Sequence, residues 1–162
     1  MKKFITVLAG FIIGFYIFMP KTEIFYFIQN ILSKNGIYLT ANTKSDIYKL
    51  NLSNGKIYYK SIKTAEFKKA LIYPYIFYNK LYITDITLPI DNIKINEVSL
   101  TQNIIHPFII QIKAESNIAK NIYGNINLSN KEIRIYFIKI YNNAIKQFLK
   151  KDKKGYYYYE KF

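Results

Sequence analysis

The pattern of hydrophobic and polar positions divides the chain into three stretches. Phe4 to Met19 carries no charged residue, with Lys2-Lys3 before it and Pro20-Lys21 after it. Such a run is either a secretory signal peptide or an uncleaved membrane anchor. Ile17-Phe18-Met19-Pro20 is bulky where a cleavage site needs small side chains, so the pattern predicts an anchor over residues 1–20. A helix over this run rises about 24 Å, short of the roughly 30 Å hydrocarbon layer. Snorkelling lysines, local thinning or a helix that continues past Pro20 would close that gap. Gly10 and Gly14 form a GxxxG spacing, which would let two helix backbones approach for self-association, although Gly is common in membrane helices anyway. The lysines ahead of the run keep that end cytoplasmic and send the remainder across the membrane.

The second stretch, residues 21–36, has helical periodicity. Ile24, Phe27, Ile28 and Ile31 recur on one face, Thr22 is the expected N-cap and Asn35-Gly36 the stop. This predicts a short amphipathic helix that lies on the membrane surface or caps the domain after it.

From Ile37 onward, in residues 37–162, the period shortens to two. Runs of Ile, Tyr, Thr, Val and Phe are broken by Asn, Asp, Ser, Gly and Pro, which favours strands. Asn54-Gly55 predicts a tight hairpin turn between Leu50-Asn51-Leu52 and Ile57-Tyr58-Tyr59. A second hairpin is expected across Tyr78-Asn79-Lys80-Leu81, and further strands over Ile93–Leu100 and Phe108–Ala114. The hairpin text recurs at Ile126-Asn127-Leu128-Ser129-Asn130-Lys131-Glu132-Ile133, which suggests a sheet extended by similar units. Leu81 and Ile83 fall on one strand face, Tyr82, Ile86 and Leu88 on the other. Apolar residues on both faces fit a sandwich core, the commoner cause, or a curled sheet lining a lipid-like ligand. Asn142 is the expected cap of a final helix with Ala144, Ile145, Phe148 and Leu149 on its stripe, followed by a tyrosine strand after Gly155. The fold class is therefore mainly β: an anchor helix, an amphipathic helix, a curved antiparallel sheet of hairpins and a short C-terminal helix.

Composition narrows function more than it names it. The length of 162 residues suits one exported domain, and the absence of Cys removes disulfides, thiolate metal sites and a cysteine nucleophile. The formal net charge of +14 directs attention to anionic partners, and Lys150, Lys151, Lys153 and Lys154 form the densest basic cluster, a candidate contact for anionic headgroups. Tyrosines interleaved with lysines would suit single-stranded nucleic acid, but the lysines are spread rather than striped, and an AT-rich genome explains part of the bias. No catalytic or metal site is expected. His106 is the sole histidine, and Asp85 and Asp91 are isolated carboxylates at strand boundaries, without the clustering that metal binding or acid–base chemistry needs. No cofactor fingerprint is present.

Met19-Pro20 closing a lysine-led anchor, Asn35-Gly36-Ile37 closing the amphipathic helix, hairpin text such as Leu52-Ser53-Asn54-Gly55-Lys56-Ile57, and later Tyr123-Gly124-Asn125-Ile126-Asn127-Leu128 and Lys153-Lys154-Gly155-Tyr156 make a recognisable layout. It resembles the N protein of the type II secretion system and the AsmA-like envelope proteins. That resemblance implies a bitopic inner-membrane protein with a periplasmic curved antiparallel sheet, acting in secretion-machine assembly or lipid movement. It implies no catalytic residues. The expected partners are membrane lipid and envelope or secretion proteins; the alternative is a tethered module for an acidic polymer or nucleic acid.

Overall fold

A computed structural model of the chain describes residues 2–75, 77–89 and 93–162, and these are mainly β. Two helices, α1 (Lys2–Ile17) and α2 (Lys21–Lys34), precede ten strands. These are β1 (Ile37–Ser45), β2 (Leu50–Tyr59), β3 (Ile62–Pro74), β4 (Tyr78–Thr87), β5 (Lys94–Asn103), β6 (Ile109–Ser116), β7 (Ala119–Asn127), β8 (Glu132–Ile140), β9 (Lys150–Asp152) and β10 (Gly155–Lys161). All pair antiparallel in one open sheet, in the order β1 to β8, then β10, then β9. The sandwich expected from the doubly apolar strands is not formed among the described residues. From β1 to β8 short connections bring each strand back beside its predecessor, so the sheet grows as a meander instead of folding over itself as a second layer; β10 then pairs with β8, and β9 closes the edge.

Register sorts the side chains. Leu52, Ala70, Ile83, Val98, Ala114 and Ile122 are successive cross-strand partners from β2 to β7 and share one face. A parallel row runs Leu50, Ile72, Leu81, Leu100 and Ile112. The intervening residues present a polar face rich in Tyr and Lys: Tyr82, Ser99, Lys113, Tyr123, Tyr136 and Tyr157 are partners in sequence across β4 to β10. Helix α2 lies on the apolar face at the β1 end, where Phe25 joins Leu50, Leu52, Phe67 and Ala70 in the buried core. Gln29 donates to the Leu39 carbonyl, and Tyr26 and Thr43 hydroxyls approach to 3.5 Å, so α2 runs along β1 in the opposite direction.

No single helix among the described residues is long and apolar enough to cross a membrane; α1 and α2 pass that test only as a pair, bent by 62°. The bend falls at Met19-Pro20. Proline removes a backbone donor and disfavours helix in the residue before it, which interrupts the helix that a continuous span past Pro20 would need. Pro20, not Thr22, occupies the N-cap of α2, and Lys21 is buried at the corner with its ammonium 5.6 Å from the Tyr16 ring centroid.

Several local expectations are corrected. Asn54-Gly55 makes no turn, and β2 runs through it. Between the pairs Thr40–Lys56 and Asn42–Ser53 the register shifts, so Asn54 and Gly55 oppose Ala41 alone, a β-bulge with Asn54 at φ 52°. A hairpin there would have removed half of β2 from between β1 and β3, exposing Leu50 and Leu52. The actual reversal is Lys60-Ser61, both at positive φ, between the paired Tyr59 and Ile62. The internal repeat therefore fails in its first copy. Its second copy is a true turn, in which the Asn127 side-chain oxygen accepts from the Ser129 and Asn130 amides, both at 3.1 Å. Tyr78 to Leu81 lie within β4, whose preceding turn ends at Phe77. The final helix is only a 3-10 turn, Asn143–Phe148. The tyrosine strand β10 forms, one place in from the edge, which β9 occupies.

Candidate functional site

The most unusual surface is α1. Phe4, Val7, Phe11 and Phe15 are 72%, 71%, 71% and 64% exposed, on a helix whose sequence is almost wholly apolar. An apolar helix without a protein partner needs a non-aqueous neighbour. Gly10 and Gly14 lie on this open helix, and a Cβ added at either meets nothing within 4 Å. Helix α1 meets the sheet through its C-terminal end: Tyr16 stacks on Tyr75 at 6.2 Å, and its hydroxyl donates to the Tyr48 carbonyl at 3.4 Å. Tyr75 in turn stacks on Tyr73 and Tyr78.

The second surface is the apolar face beyond α2. Apart from neighbouring strands, the extensive packing of one element on another among the described residues is that of α2 on β1. Across β4 to β8 the Ile, Leu and Val rows are half-buried apart from buried Ile112, with no covering helix or second sheet among the described residues.

The opposite face carries polar chemistry. Tyr123 stacks on Tyr136 at 5.5 Å, Tyr157 follows tilted at 5.6 Å across β7, β8 and β10, and the Arg134 guanidinium lies over Tyr157 and Tyr159. Lys113, Arg134, Lys154, His106 and the Tyr123–Tyr136 pair line an open concavity of about 890 Å³. The Lys150–Lys154 cluster is divided by the strand geometry. Lys150 pairs with Tyr157 on the polar face and Lys151 with Tyr156 on the other, Lys154 reaches the Tyr136 ring at 6.0 Å, and Lys153 stays in the exposed turn. Of the four, Lys154 alone lines the concavity.

Asp85 is exposed on β4 and makes a 3.8 Å ion pair with exposed Lys68. His106 is in an exposed loop, where its amide donates to the Asn103 side chain. Asp91 lies outside the described residues. Among the described residues no group of three His, Cys, Asp or Glu is placed to hold a metal ion. Tyr82 donates to Glu97 at 2.5 Å, and this bond, followed by desolvation and the carboxylate charge, raises its phenol above the ordinary value of 10.0. A group whose proton is held more tightly in the folded state contributes stability below its unfolded pKa, near 10 for tyrosine, and loses it as pH rises through the folded value. Glu97→Ala is expected to return the Tyr82 titration towards its ordinary range, followed by NMR of ring-labelled tyrosine; an unchanged titration removes Glu97 as the cause.

No family model, curated protein or solved structure matches this chain. The sequence pattern identified α1 and the basic cluster. It missed the Lys113–Arg134–Lys154 concavity, because those residues are far apart in sequence and meet only through the β5–β8 register and the turn before β10.

Proposed function

We propose that the protein is a non-enzymatic, single-pass protein of the bacterial inner membrane, tethered by α1 with residues 1–3 in the cytoplasm and the sheet in the periplasm. The sheet shields acyl chains on its apolar face. The observation that carries this reading is the pair of Ile/Leu/Val rows that continue across the sheet well beyond the part α2 covers. Burial of such a face against hydrocarbon gains about 25 cal/mol per Å² removed from water, which is ample to hold a lipid chain. The exposed apolar surface of α1 supports the tether, and its open Gly10–Gly14 face supports self-association. The resemblance in layout to the type II secretion N protein and the AsmA-like proteins agrees with this assignment.

The test is photo-crosslinking in cells, with a benzophenone amino acid placed in the full chain at Val98 or Ile122 and, as controls, at Ser99 or Tyr123 on the other face. Phospholipid adducts at the first pair alone are the expected result. Protein adducts in their place would turn the reading to a scaffold in an envelope or secretion assembly. Adducts at neither pair would dispose of both. A second reading, a tethered module for an acidic polymer, is favoured by the Lys113–Arg134–Lys154 concavity with its stacked tyrosines. It requires affinity that falls steeply with salt.

A further inference from the structure

Antiparallel register places the turns of a meander alternately on two rims. The turns at residues 46–49, 104–108 and 128–131, and the described residues Tyr75 and Phe77 between β3 and β4, all fall on the rim where β2 begins, as the pairs Ser45–Leu50, Pro74–Asn79, Tyr78–Asn103, Ile109–Asn127 and Asn127–Glu132 require. This is also the rim that α1 reaches, since Tyr16 contacts Tyr48 and Tyr75 there.

Turn tips in water are ordinarily polar. Here they carry large apolar side chains. Ile47 and Tyr48 are 49% and 60% exposed, Phe77 is 71%, and Ile104, Ile105 and Phe108 are 61%, 78% and 58%. Lys49 stands beside Ile47 and Tyr48 towards one end of this rim, and Lys131 and Lys161 towards the other, against the two carboxylates Asp46 and Glu132. Aromatic and branched tips flanked by lysines suit a membrane interface, where apolar side chains enter the headgroup–acyl boundary and ammonium groups meet anionic headgroups.

We propose that this rim enters the outer leaflet interface of the membrane in which α1 is anchored, so that the sheet is docked on the bilayer by its turns as well as by its helix. The occupant is a lipid surface rather than a protein, on two grounds: the apolar tips are continuous with the apolar exit of α1, and their lysines complement anionic headgroups. Docking brings the apolar face of the sheet up to the acyl region, which gives a lipid chain a continuous non-aqueous route onto it. The inference rests on the proposed tether, but not on lipid occupying the sheet face.

The chain contains no tryptophan, so a single introduced indole is a unique reporter. The full chain in vesicles of phosphatidylethanolamine and phosphatidylglycerol would carry Ile105→Trp or Phe77→Trp. Ile62→Trp and Tyr141→Trp are the controls, exposed by 71% and 52% at the opposite rim, beside the Tyr59–Ile62 and Ala119–Ile140 pairs. The expected result is a blue-shifted emission for the first pair that loses most of its intensity when the lipids are brominated, with unshifted, unquenched emission for the controls. Equal quenching at both rims, or none at Ile105 and Phe77, overturns the docking. Failure of the tether itself is distinguishable, because the protein would then leave the vesicles altogether. Failure of lipid shielding is read separately, by the crosslinks at Val98 and Ile122.

Discussion

Gly124→Ala is expected to destabilise the sheet by about 3 kcal/mol, the upper end of the usual cost of overpacking. A Cβ at this position would lie 2.1 Å from the Arg134 carbonyl oxygen and 2.8 Å from the Ile135 Cα. Both are backbone atoms of the paired strand β8, so no rotamer relieves the clash and the β7–β8 ladder must open. For a chain of this size the fall in Tm is roughly 6–12 °C. Gly10→Ala is the control, because its Cβ enters open space. Thermal unfolding in detergent measures both, and an unchanged Tm for Gly124→Ala would show that β8 does not approach as closely as the structure has it. Gly55 is a milder case of the same physics. Its absent Cβ leaves room for the Phe67 ring, which lies over the backbone at the bulge. A ring can move where a carbonyl cannot, though here it would leave the core.

The second large effect concerns location rather than stability. Val7→Asp combined with Phe11→Asp places two carboxylates, one turn apart, near the middle of α1. At about 2.5–3.5 kcal/mol each on insertion scales, the pair costs roughly 5–7 kcal/mol of insertion, about four to five decades in partition. Both side chains are 71% exposed and make no part of the buried core, so the sheet is expected to keep its wild-type Tm. The variant should move from the carbonate-resistant membrane fraction to the soluble one. Retention in the membrane would end the anchor assignment. Loss of the fold would mean that α1 is a core helix after all.

Legibility from sequence followed the range of the interaction involved. The period-two runs located most of the strands, because alternation is imposed locally by the pleat. The α2 helix was legible through Ile24, Phe27, Ile28 and Ile31, although the side chain that enters the core most deeply is Phe25, beside the stripe rather than on it. Ile24, Phe27, Ile28 and Ile31 all remain exposed, so the expected stripe does not face the sheet. The turns were the least legible. Asn54-Gly55 has the composition of a type I′ turn and became a bulge, while Lys60-Ser61 has neither Gly nor Asn and became the turn. Positive φ costs a lysine or serine only about 1 kcal/mol, and the burial of Leu50, Leu52 and Phe67 on a continuous β2 outweighs it. The candidate site divided in the same way. The apolar run of α1 and the lysine cluster are contiguous text, whereas the rim of apolar tips and the Lys113–Arg134–Lys154 concavity are assembled from separate turns and strands.

By itself the sequence determined a strand-built body behind two helices, a charge-free apolar run over residues 4–19 and an excess of positive charge, since each of these is a property of neighbouring residues. Only the tertiary structure decided that ten strands form one open sheet rather than two layers, that the Ile/Leu/Val rows line up on a single face, and that the apolar turns gather at the rim from which α1 departs. The reason is register. A shift of one residue between any two strands would exchange the faces, and at the β1–β4 end register is tied to long-range packing on Leu50, Leu52 and Phe67, which no local window of sequence contains.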